Sequence, residues 1–381
     1  MRELPADDAV RVLTELRKTL SNDPSAIDGG ALLPVPADAM CGRRGDLGQV
    51  PRAVAVVIET SGSTGRPKRV MLSTDALLGS AAASSVALGG DGQWLLALPA
   101  HYIAGVQVLV RSIASGTEPV VLPPGHFDPA VFTAHAELLT APLRFTSLVP
   151  VQLARLVDAA ADDQKVLAVL RRFTGILVGG QAVPTELVDR AARLGVRVLR
   201  TYGSSETAGG CVYDGVPIGN TVLREVDGEL LISGSVLAEG YLGDAELTAD
   251  RFIEQHGVRW YRTGDLGSVA ADGRVTVTGR ADNVIISGGE KVSLDAVERV
   301  VRTLPGFTEA VVLPADDAAW GQVPVLVVAA EQAPELEPVR CAVAAQLGRA
   351  ARPVRIVTVA AIPLLASGKP DRQALRSIIG G

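Results

Sequence analysis

Apolar residues first recur at helical spacing and then gather in short runs along the chain. In residues 7–20, Val10, Leu13, Leu16 and Leu20 follow the 3.6-residue period, so the spacing predicts an amphipathic helix. Residues 21–50 are rich in Gly, Pro and Asp, which predicts a loop. Strand-like runs follow at residues 54–58, 94–98, 119–122, 145–149, 175–178 and 196–199, with helical patterns between several of them, such as 151–158 and 185–194. This alternation predicts an α/β domain of layered helices and sheets.

The pattern changes twice toward the C-terminus. From about residue 222, Asp227-Gly228 and Asp272-Gly273 each separate β-prone runs, which is a hairpin signal. After about residue 280 the pattern predicts a helix over 294–304, strands near 309–313 and 323–329, a helix near 335–350 and a last strand. The chain therefore combines a layered α/β part, a small β-rich part and an α+β module.

Composition narrows the class of protein. The 381 residues carry a net charge of −6 and only 4% aromatic residues, which argues against a nucleic-acid partner. No apolar run approaches the roughly 18 residues of a membrane helix, and the N-terminus lacks the apolar core of a signal peptide, so we expect a cytoplasmic protein without membrane insertion. Cys41, Cys211 and Cys341 are odd in number and far apart, and therefore predict neither a disulfide framework nor a CxxC metal site.

One polar segment, TSGSTGRPK at residues 60–68, follows the first strand-like run. Glycines let backbone N–H groups converge on an anion, and hydroxyls and cations add further donors, so the segment suggests a phosphate-binding loop. Its glycine spacing differs from that of the Walker P-loop, and Arg69 stands where that motif has Ser or Thr. A Gly/Ser-rich surface turn is the alternative.

Further polar segments follow in a fixed order: LPAHYIAG (98–105), LVGGQAVP (177–184), TYGSSETAGG (201–210), YRTGDLG (261–267), GRADNVIISGGEKVS (279–293) and ASGKPDR (366–372). Taken singly, each could be a turn or a solvated loop. Together they resemble the adenylate-forming superfamily of acyl- and aryl-CoA synthetases, luciferases and peptide-synthetase adenylation domains, over roughly residues 50–381. That resemblance implies ATP and CoA as co-substrates, Mg²⁺ as cofactor and a small-molecule carboxylic acid as partner.

The resemblance also implies roles for individual residues. Lys369 matches the catalytic lysine, Glu206 the metal carboxylate, and Ser205 stands where the family often has Thr and would present a hydroxyl to the α-phosphate. The residues that would bind ATP are Thr60, Ser61, Gly62, Ser63, Thr64, Gly65, Lys68, Gly180, Gln181, Tyr202, Gly203, Asp265 and Arg280. Among these, Asp265 would accept bonds from the ribose hydroxyls and Tyr202 would stack near adenine.

The family carries out its two half-reactions in two orientations of a mobile C-terminal domain. The resemblance therefore implies a large N-terminal ATP- and acyl-binding domain over residues 1–281, with mixed sheets and a small β-rich subdomain, and a small mobile α+β domain over 282–381. Asp282 matches the hinge, and Gly288 and Gly289 would line the CoA tunnel. The sequence leaves open whether the chain forms a homodimer.

The segment LPAHYIAGVQVLVRSIASG is similar to the matching segment of the 2-succinylbenzoate–CoA ligase family of menaquinone biosynthesis, and the early loop at residue 60 resembles its compact actinobacterial members. That similarity implies an acyl pocket with His101, Tyr102, Gly105 and Gly179, and with Gln107 as an additional candidate. Arg111 and Arg144 are candidates for holding a second carboxylate of the substrate.

Several alternatives remain open at this point. His101 could be a structural core histidine, and Lys369 a solvated lysine. The chain could be another aryl- or acyl-CoA ligase, a stand-alone adenylation domain, or a nucleotide-binding protein without catalysis. The joint presence of Lys369, Glu206 and Asp265 argues against the last alternative.

Overall fold

The computed structural model describes residues 1–21, 30–40, 49–60, 67–365 and 369–379. The chain divides into two compact units. The first comprises Met1–Leu223, Leu231–Arg262 and Ala270–Val275, and the second Arg224–Leu230, Thr263–Val269 and Thr276–Gly381. Over the described residues, no helix combines the length and apolar character needed to cross a membrane.

The N-terminal 217 residues alternate strands with helices. The strands are β1 (Arg2–Pro5), β2 (Leu32–Val35), β3 (Val54–Thr60), β4 (Lys68–Ser73), β5 (Gln93–Leu96), β6 (Val120–Val121), β7 (Arg144–Leu148), β8 (Gly175–Val178), β9 (Val198–Ser204), β10 (Gly209–Tyr213) and β11 (Val216–Pro217). The helices are α1 (Ala9–Leu20), α2 (Ala37–Met40), α3 (Thr74–Leu88), α4 (Ile103–Ala114), α5 (Pro129–Ala136), α6 (Pro150–Asp162), α7 (Gln164–Arg171) and α8 (Thr185–Arg193). A short 3₁₀ helix, Ser205–Thr207, joins β9 to β10.

The remaining chain is richer in strands. These are β12 (Val222–Val226), β13 (Glu229–Ser233), β14 (Gly240–Tyr241), β15 (Phe252–Gln255), β16 (Val258–Val269), β17 (Val275–Arg280), β18 (Val284–Ser287), β19 (Glu290–Ser293), β20 (Val311–Asp317), β21 (Gly321–Ala329) and β22 (Arg355–Val359). The helices are α9 (Ala245–Arg251), α10 (Leu294–Val301), α11 (Leu336–Leu347) and α12 (Arg372–Ile379). Asp227 and Gly228, with φ of 52° and 85°, form the β12–β13 turn that the Asp-Gly signal predicts.

Two sheets organise the first unit. One has the order β1-β2-β3-β4-β14, in which β1, β2 and β3 are parallel and β4 is antiparallel to both β3 and β14. The other has the order β11-β10-β9-β8-β7-β5-β6, parallel from β6 to β9 and antiparallel beyond it. Because parallel strands are buried on both faces, their sequences are continuous apolar runs, and this is why the runs at 145–149 and 175–178 were recognisable.

Helices α5 to α8 cover the parallel sheet. Their apolar faces pack with the strands into one core whose largest fully buried members include Phe132, Leu139 and Leu148. The helix starts follow ordinary capping chemistry, since Asp128 accepts hydrogen bonds from Ala130 N and Val131 N, and Pro129 occupies the first turn. The carboxyl ends of β5, β7, β8 and β9 are thereby held along one edge, where α/β sheets typically bind ligands.

The structure corrects two expectations for the N-terminal segment. Residues 21–50 are not loop throughout, because the described part contains β2 and α2, and β2 pairs with the unpredicted strand β1 in the register Arg2↔Leu32. Helix α1 is confirmed, capped by Asp8, but its predicted apolar face was partly wrong. Val10 is 66% exposed, whereas Val12 points inward beside the predicted Leu13.

The second unit contains an α+β module with a sheet of order β19-β18-β21-β20, to which β22 adds parallel to β21. One face of this sheet packs against α10 and α11, and the other against α12. Alternate residues explain the two cores, because Val312 and Leu326 contribute to one and Val311 and Val325 to the other. The predicted helices and strands of this module are confirmed, whereas α12 was not predicted.

Candidate active site

The hairpin of β3 and β4 holds both ends of the predicted phosphate loop. Thr60 is the register partner of Lys68, and the ion pair between Glu59 and Arg69, at 2.9 Å, fixes the adjacent cross-strand position. Ser61, Gly62, Ser63, Thr64 and Gly65 lie outside the described residues. The described part therefore shows where the loop begins and ends.

The segment after β9 forms a tight turn that presents Ser205 and Glu206. Ser204 caps the 3₁₀ helix by accepting a hydrogen bond from Glu206 N at 3.2 Å, and Thr207 Oγ1 accepts from Ser204 N at 2.8 Å. The chain then reverses into β10 through Ala208 and Gly209, both at positive φ. The Ser-, Thr- and Gly-rich composition of this segment is what permits so sharp a reversal.

Glu206 is 9% exposed and has a phenolic partner. Tyr241 Oη in β14 donates a hydrogen bond to Glu206 Oε1 at 2.9 Å. Burial, followed by the charge of Glu206, raises the pKa of Tyr241, while a hydrogen bond from Tyr261 acts in the opposite direction. The Tyr241 hydroxyl therefore stays protonated and can donate this hydrogen bond. Lys68 Nζ lies 5.7 Å from the centroid of the Tyr241 ring. The motifs of the sequence do not include this tyrosine, because its contact with Glu206 depends on tertiary pairing.

The donor set around Glu206 can be tested against Mg²⁺. Over the part of the chain that the structure describes, no group of three or more His, Cys, Asp or Glu side chains is arranged to hold a metal ion. Mg²⁺ commonly uses one or two carboxylates and completes its shell with water and substrate phosphates. A single buried carboxylate such as Glu206 fits an ion that arrives with ATP and does not fit a resident metal cage.

The β8 and β9 ends bring predicted ATP-binding residues next to Gly179, which the resemblance places in the acyl pocket. Gly179, Gly180 and Gln181 follow β8 directly, and Tyr202 and Gly203 lie in the neighbouring parallel strand β9. A Cβ atom at Gly179 would overlap Thr201 Oγ1, so glycine is required for this close approach, and Gly180 has φ of 84°. These residues occupy the same sheet edge as Ser205 and Glu206.

The predicted acyl-binding residues lie where α4 begins. The rings of His101 and Tyr102 have centroids 4.1 Å apart and immediately precede the helix. A Cβ atom at Gly105 would overlap the carbonyl oxygen of Pro99, so only glycine lets the first turn of α4 approach this backbone. Since α4 follows the carboxyl end of β5, its first turn belongs to the same edge of the sheet as Gly179.

Gln107 joins α4 to the Glu206 turn. Its Nε2 donates to Ala208 O at 2.8 Å and is 3.4 Å from Leu77 O. Within the described chain its buried Oε1 has no hydrogen-bond partner, so it can accept from a bound water or a substrate donor. Gln107, an additional candidate for the acyl pocket, is therefore hydrogen-bonded to the turn that presents Glu206.

The two candidate cations for a second carboxylate differ in setting. Arg111 is 6% exposed, with its guanidinium 4.9 Å from the Trp94 ring centroid and its Nη2 3.4 Å from Tyr213 Oη. It lies eight residues along α4 from Ile103, or about 12 Å of helix. At Arg144 in β7, burial and the neighbouring charge of Arg172 lower the pKa. Both assignments remain predictions.

The second unit holds the predicted ribose-binding and hinge residues. Arg280 Nη1 donates to Asp265 Oδ1 at 3.1 Å and to Thr263 O at 3.0 Å, while its Nε and Nη2 donate to the two oxygens of Asp282 at 3.1 and 3.2 Å. Although burial acts to lower it, the pKa of Arg280 is raised by its hydrogen bonds and charges with Asp282 and Asp265. Asp295, which the sequence analysis missed, accepts from Arg280 N at 2.7 Å.

Gly288 and Gly289 form the turn between β18 and β19, with φ of 57° and 85°. A Cβ atom at Gly288 would overlap the ring of Trp320, whose backbone oxygen accepts a hydrogen bond from Gly288 N at 2.8 Å. Of the two predicted CoA-tunnel glycines, Gly288 therefore lies against an aromatic side chain, whereas Gly289 is exposed and has open space where a Cβ atom would stand. Lys369 is exposed and follows residues 366–368, which are outside the described part; its carbonyl oxygen accepts from Leu365 N at 2.8 Å.

Comparison with known families decides the identity of this arrangement. The model of the AMP-binding enzyme family matches residues 8–242, and that of the AMP-binding enzyme C-terminal domain matches residues 296–369. The chain belongs to the AMP-binding enzyme family. The large and small domains of this family account for the α/β unit with two sheets and the α+β module described above, so the predicted superfamily and fold class are confirmed.

Individual relatives agree with this assignment. The chain is 38% identical to a "Probable 2-succinylbenzoate–CoA ligase" of Mycobacterium tuberculosis, over 98% of this chain and 96% of the relative. It is 33% identical to a 2-succinylbenzoate–CoA ligase of Salmonella typhimurium, over 81% of this chain and 65% of the relative. An Escherichia coli MenE structure with bound OSB-AMS is 28% identical, covers 89% of this chain and 71% of its own, and has a TM-score of 0.70.

Proposed function

We propose that this chain is an AMP-forming ligase that joins 2-succinylbenzoate to CoA in menaquinone biosynthesis. The observation that carries the proposal is the 38% identity, over nearly the full length of both chains, to the mycobacterial relative of that name. The structure supports it by gathering the nucleotide-binding and acyl-binding candidates of the first unit along one sheet edge.

The first half-reaction is adenylation. A carboxylate oxygen of the acid attacks the α-phosphorus of ATP, and pyrophosphate leaves. Glu206 would hold Mg²⁺ together with phosphate oxygens of ATP, and the ion would offset the charge that opposes the approach of two anions. Lys369 would neutralise charge that develops on the carboxylate and the α-phosphate. An electrostatic contribution of this kind typically lowers the barrier by about 3 kcal/mol.

The second half-reaction is transfer to CoA. The thiolate of CoA attacks the acyl carbon, AMP leaves, and the thiol proton passes to solvent. A free thiol has a pKa near about 8.5, so a small thiolate population suffices without a strong base nearby. Gly288 and Gly289 would line the path of the pantetheine, and Asp282 would be the hinge that exchanges the two states.

The test is AMP release with a panel of carboxylic acids in the presence of ATP, Mg²⁺ and CoA. We expect 2-succinylbenzoate to have the highest kcat/KM, and omission of CoA to stop turnover at the adenylate. Lys369→Ala is the matched inactive control, with an adenylation rate lowered by more than about a hundredfold. A higher kcat/KM for benzoate or a fatty acid would overturn the substrate, and turnover that is indifferent to CoA would overturn the ligase.

A further inference from the structure

A buried ion network lies beneath the segment that carries Lys369. Glu298 in α10 is 8% exposed, and each of its carboxylate oxygens has a partner. Oε1 forms an ion pair with Arg302 Nη2 at 2.7 Å, while Oε2 accepts hydrogen bonds from Val312 N at 3.0 Å and from Arg372 Nη2 at 2.7 Å. A buried carboxylate with every oxygen engaged holds its partners in one arrangement.

Arg372 is the first residue of α12 and spans two elements of the module. While Nη2 binds Glu298 in α10, Nη1 donates to Val312 O in β20 at 2.7 Å. The planar fork of arginine suits this double contact, which the single ammonium of lysine cannot reproduce. The side chain therefore fixes the start of α12 against the helix and strand that form the core.

The chain between Arg372 and Lys369 is short, and backbone hydrogen bonds tie it to residues 363–365. Asp371 N donates to Pro363 O, and Leu365 N donates to Lys369 O, both at 2.8 Å. Leu364 and Pro370 form an isolated antiparallel bridge. Lys369 thus lies three residues before Arg372 on backbone that is held from both sides.

We propose that Arg372 and Glu298 are positioning residues for Lys369 in the adenylation half-reaction, an inference that rests on the proposed function. They touch neither substrate, and act by fixing the backbone from which the lysine reaches the reacting groups. A displacement of about 1 Å in a catalytic group can slow a reaction by about a hundredfold, so an anchor three residues away affects rate as well as stability.

The experiment compares Arg372→Lys with Arg302→Lys. Both variants keep the positive charge beside the same carboxylate, but Arg302 contacts the other oxygen and the carbonyl of Ala310, away from the Lys369 segment. We expect Arg372→Lys to slow single-turnover acyl-AMP formation by about ten- to a hundredfold and to leave CoA-dependent consumption of preformed acyl-AMP within about threefold. Arg302→Lys should leave both rates within about threefold.

A double-mutant cycle with Lys369→Ala gives the second readout. If Arg372 acts through Lys369, Arg372→Lys has no further effect on adenylation once the lysine is absent. Full additivity of the two losses would overturn the proposal, as would an equal loss in both half-reactions or an equal effect of Arg302→Lys.

Hydrogen exchange of backbone amides tests the positioning role of Arg372 independently of the proposed substrate, 2-succinylbenzoate. Faster exchange of the Leu365 and Asp371 amides in Arg372→Lys than in Arg302→Lys is expected whatever acid the enzyme uses. If the parent fails to adenylate 2-succinylbenzoate but the exchange difference is present, the substrate assignment is wrong, whereas the inference that Arg372 holds the Lys369 segment is supported. If the exchange rates of these amides are the same in both variants, the inference that Arg372 holds this backbone is wrong.

Discussion

Removing one hydroxyl, in Tyr241→Phe, tests how Glu206 is held. The phenol donates at 2.9 Å to a buried carboxylate, whereas the ring packs on Phe252, with centroids 5.8 Å apart. Phenylalanine keeps the packing and loses the hydrogen bond. A hydrogen bond to a buried charged group contributes about 1.5–3 kcal/mol, so we expect this loss of stability.

Two measurements follow from that loss. In a unit of this size, about 1.5–3 kcal/mol corresponds to a fall in Tm of roughly 3–12 °C, readable by calorimetry. Partners that orient a metal ligand typically alter metal affinity or activity by about 10–100-fold when removed. We therefore expect the Mg²⁺ dependence of binding a non-hydrolysable ATP analogue, followed by titration calorimetry, to shift to higher Mg²⁺ by about tenfold or more.

Tyr213→Phe is the matched control. Tyr213 is also a buried tyrosine of the first unit, and its hydroxyl is bonded to Ser84 at 2.8 Å instead of to Glu206. It should lose stability without a shift in Mg²⁺ dependence. If Tyr241→Phe lowers Tm but its Mg²⁺ titration overlays that of the parent, the hydroxyl is structural and the reasoning about Glu206 fails.

Three further predictions concern other parts of the first unit and the exposed surface. Gly105→Ala should lower Tm markedly, because its methyl group would overlap the Pro99 carbonyl; an unchanged melting curve would refute that close approach. His101→Ala should raise KM for the acid much more than for ATP or CoA, and an equal rise for all three would indicate a structural histidine. Burial raises the pKa of Cys211 to about 12, so iodoacetamide near neutral pH should label the exposed Cys341 and spare Cys211 in the folded protein. Peptide mass mapping would contradict this if Cys211 were alkylated at a similar rate.

The parts of the fold that the sequence predicted have a strong local signal. Strands β7 and β8 are buried on both faces and are continuous apolar runs, and Asp227-Gly228 is a local turn pair. Strands β1 and β2 were missed because their parallel pairing joins positions thirty residues apart. Nothing in either stretch alone shows that pairing.

The candidate site likewise contains motifs that the sequence predicted and side-chain contacts that it did not predict. Polar segments such as TSGSTGRPK and TYGSSETAGG were recognisable because loop composition and spacing carry their chemistry. The contacts that hold their side chains were not, because they depend on tertiary pairing. Tyr241 meets Glu206 only because β14 pairs with β4, and Arg372 meets Glu298 across 74 residues of chain.

The ion pair between Arg280 and Asp282 has a consequence for what would drive the domain motion of the enzyme. The two side chains are 45% and 52% exposed, and an ion pair so open to water is worth about 0.2–1 kcal/mol, close to thermal energy. Random motion alone therefore opens it, and no chemical energy from ATP is needed at this residue. If the chain swings at Asp282, the direction of the swing has to come from whichever ligand binds one orientation more tightly, adenylate in one half of the cycle and CoA in the other.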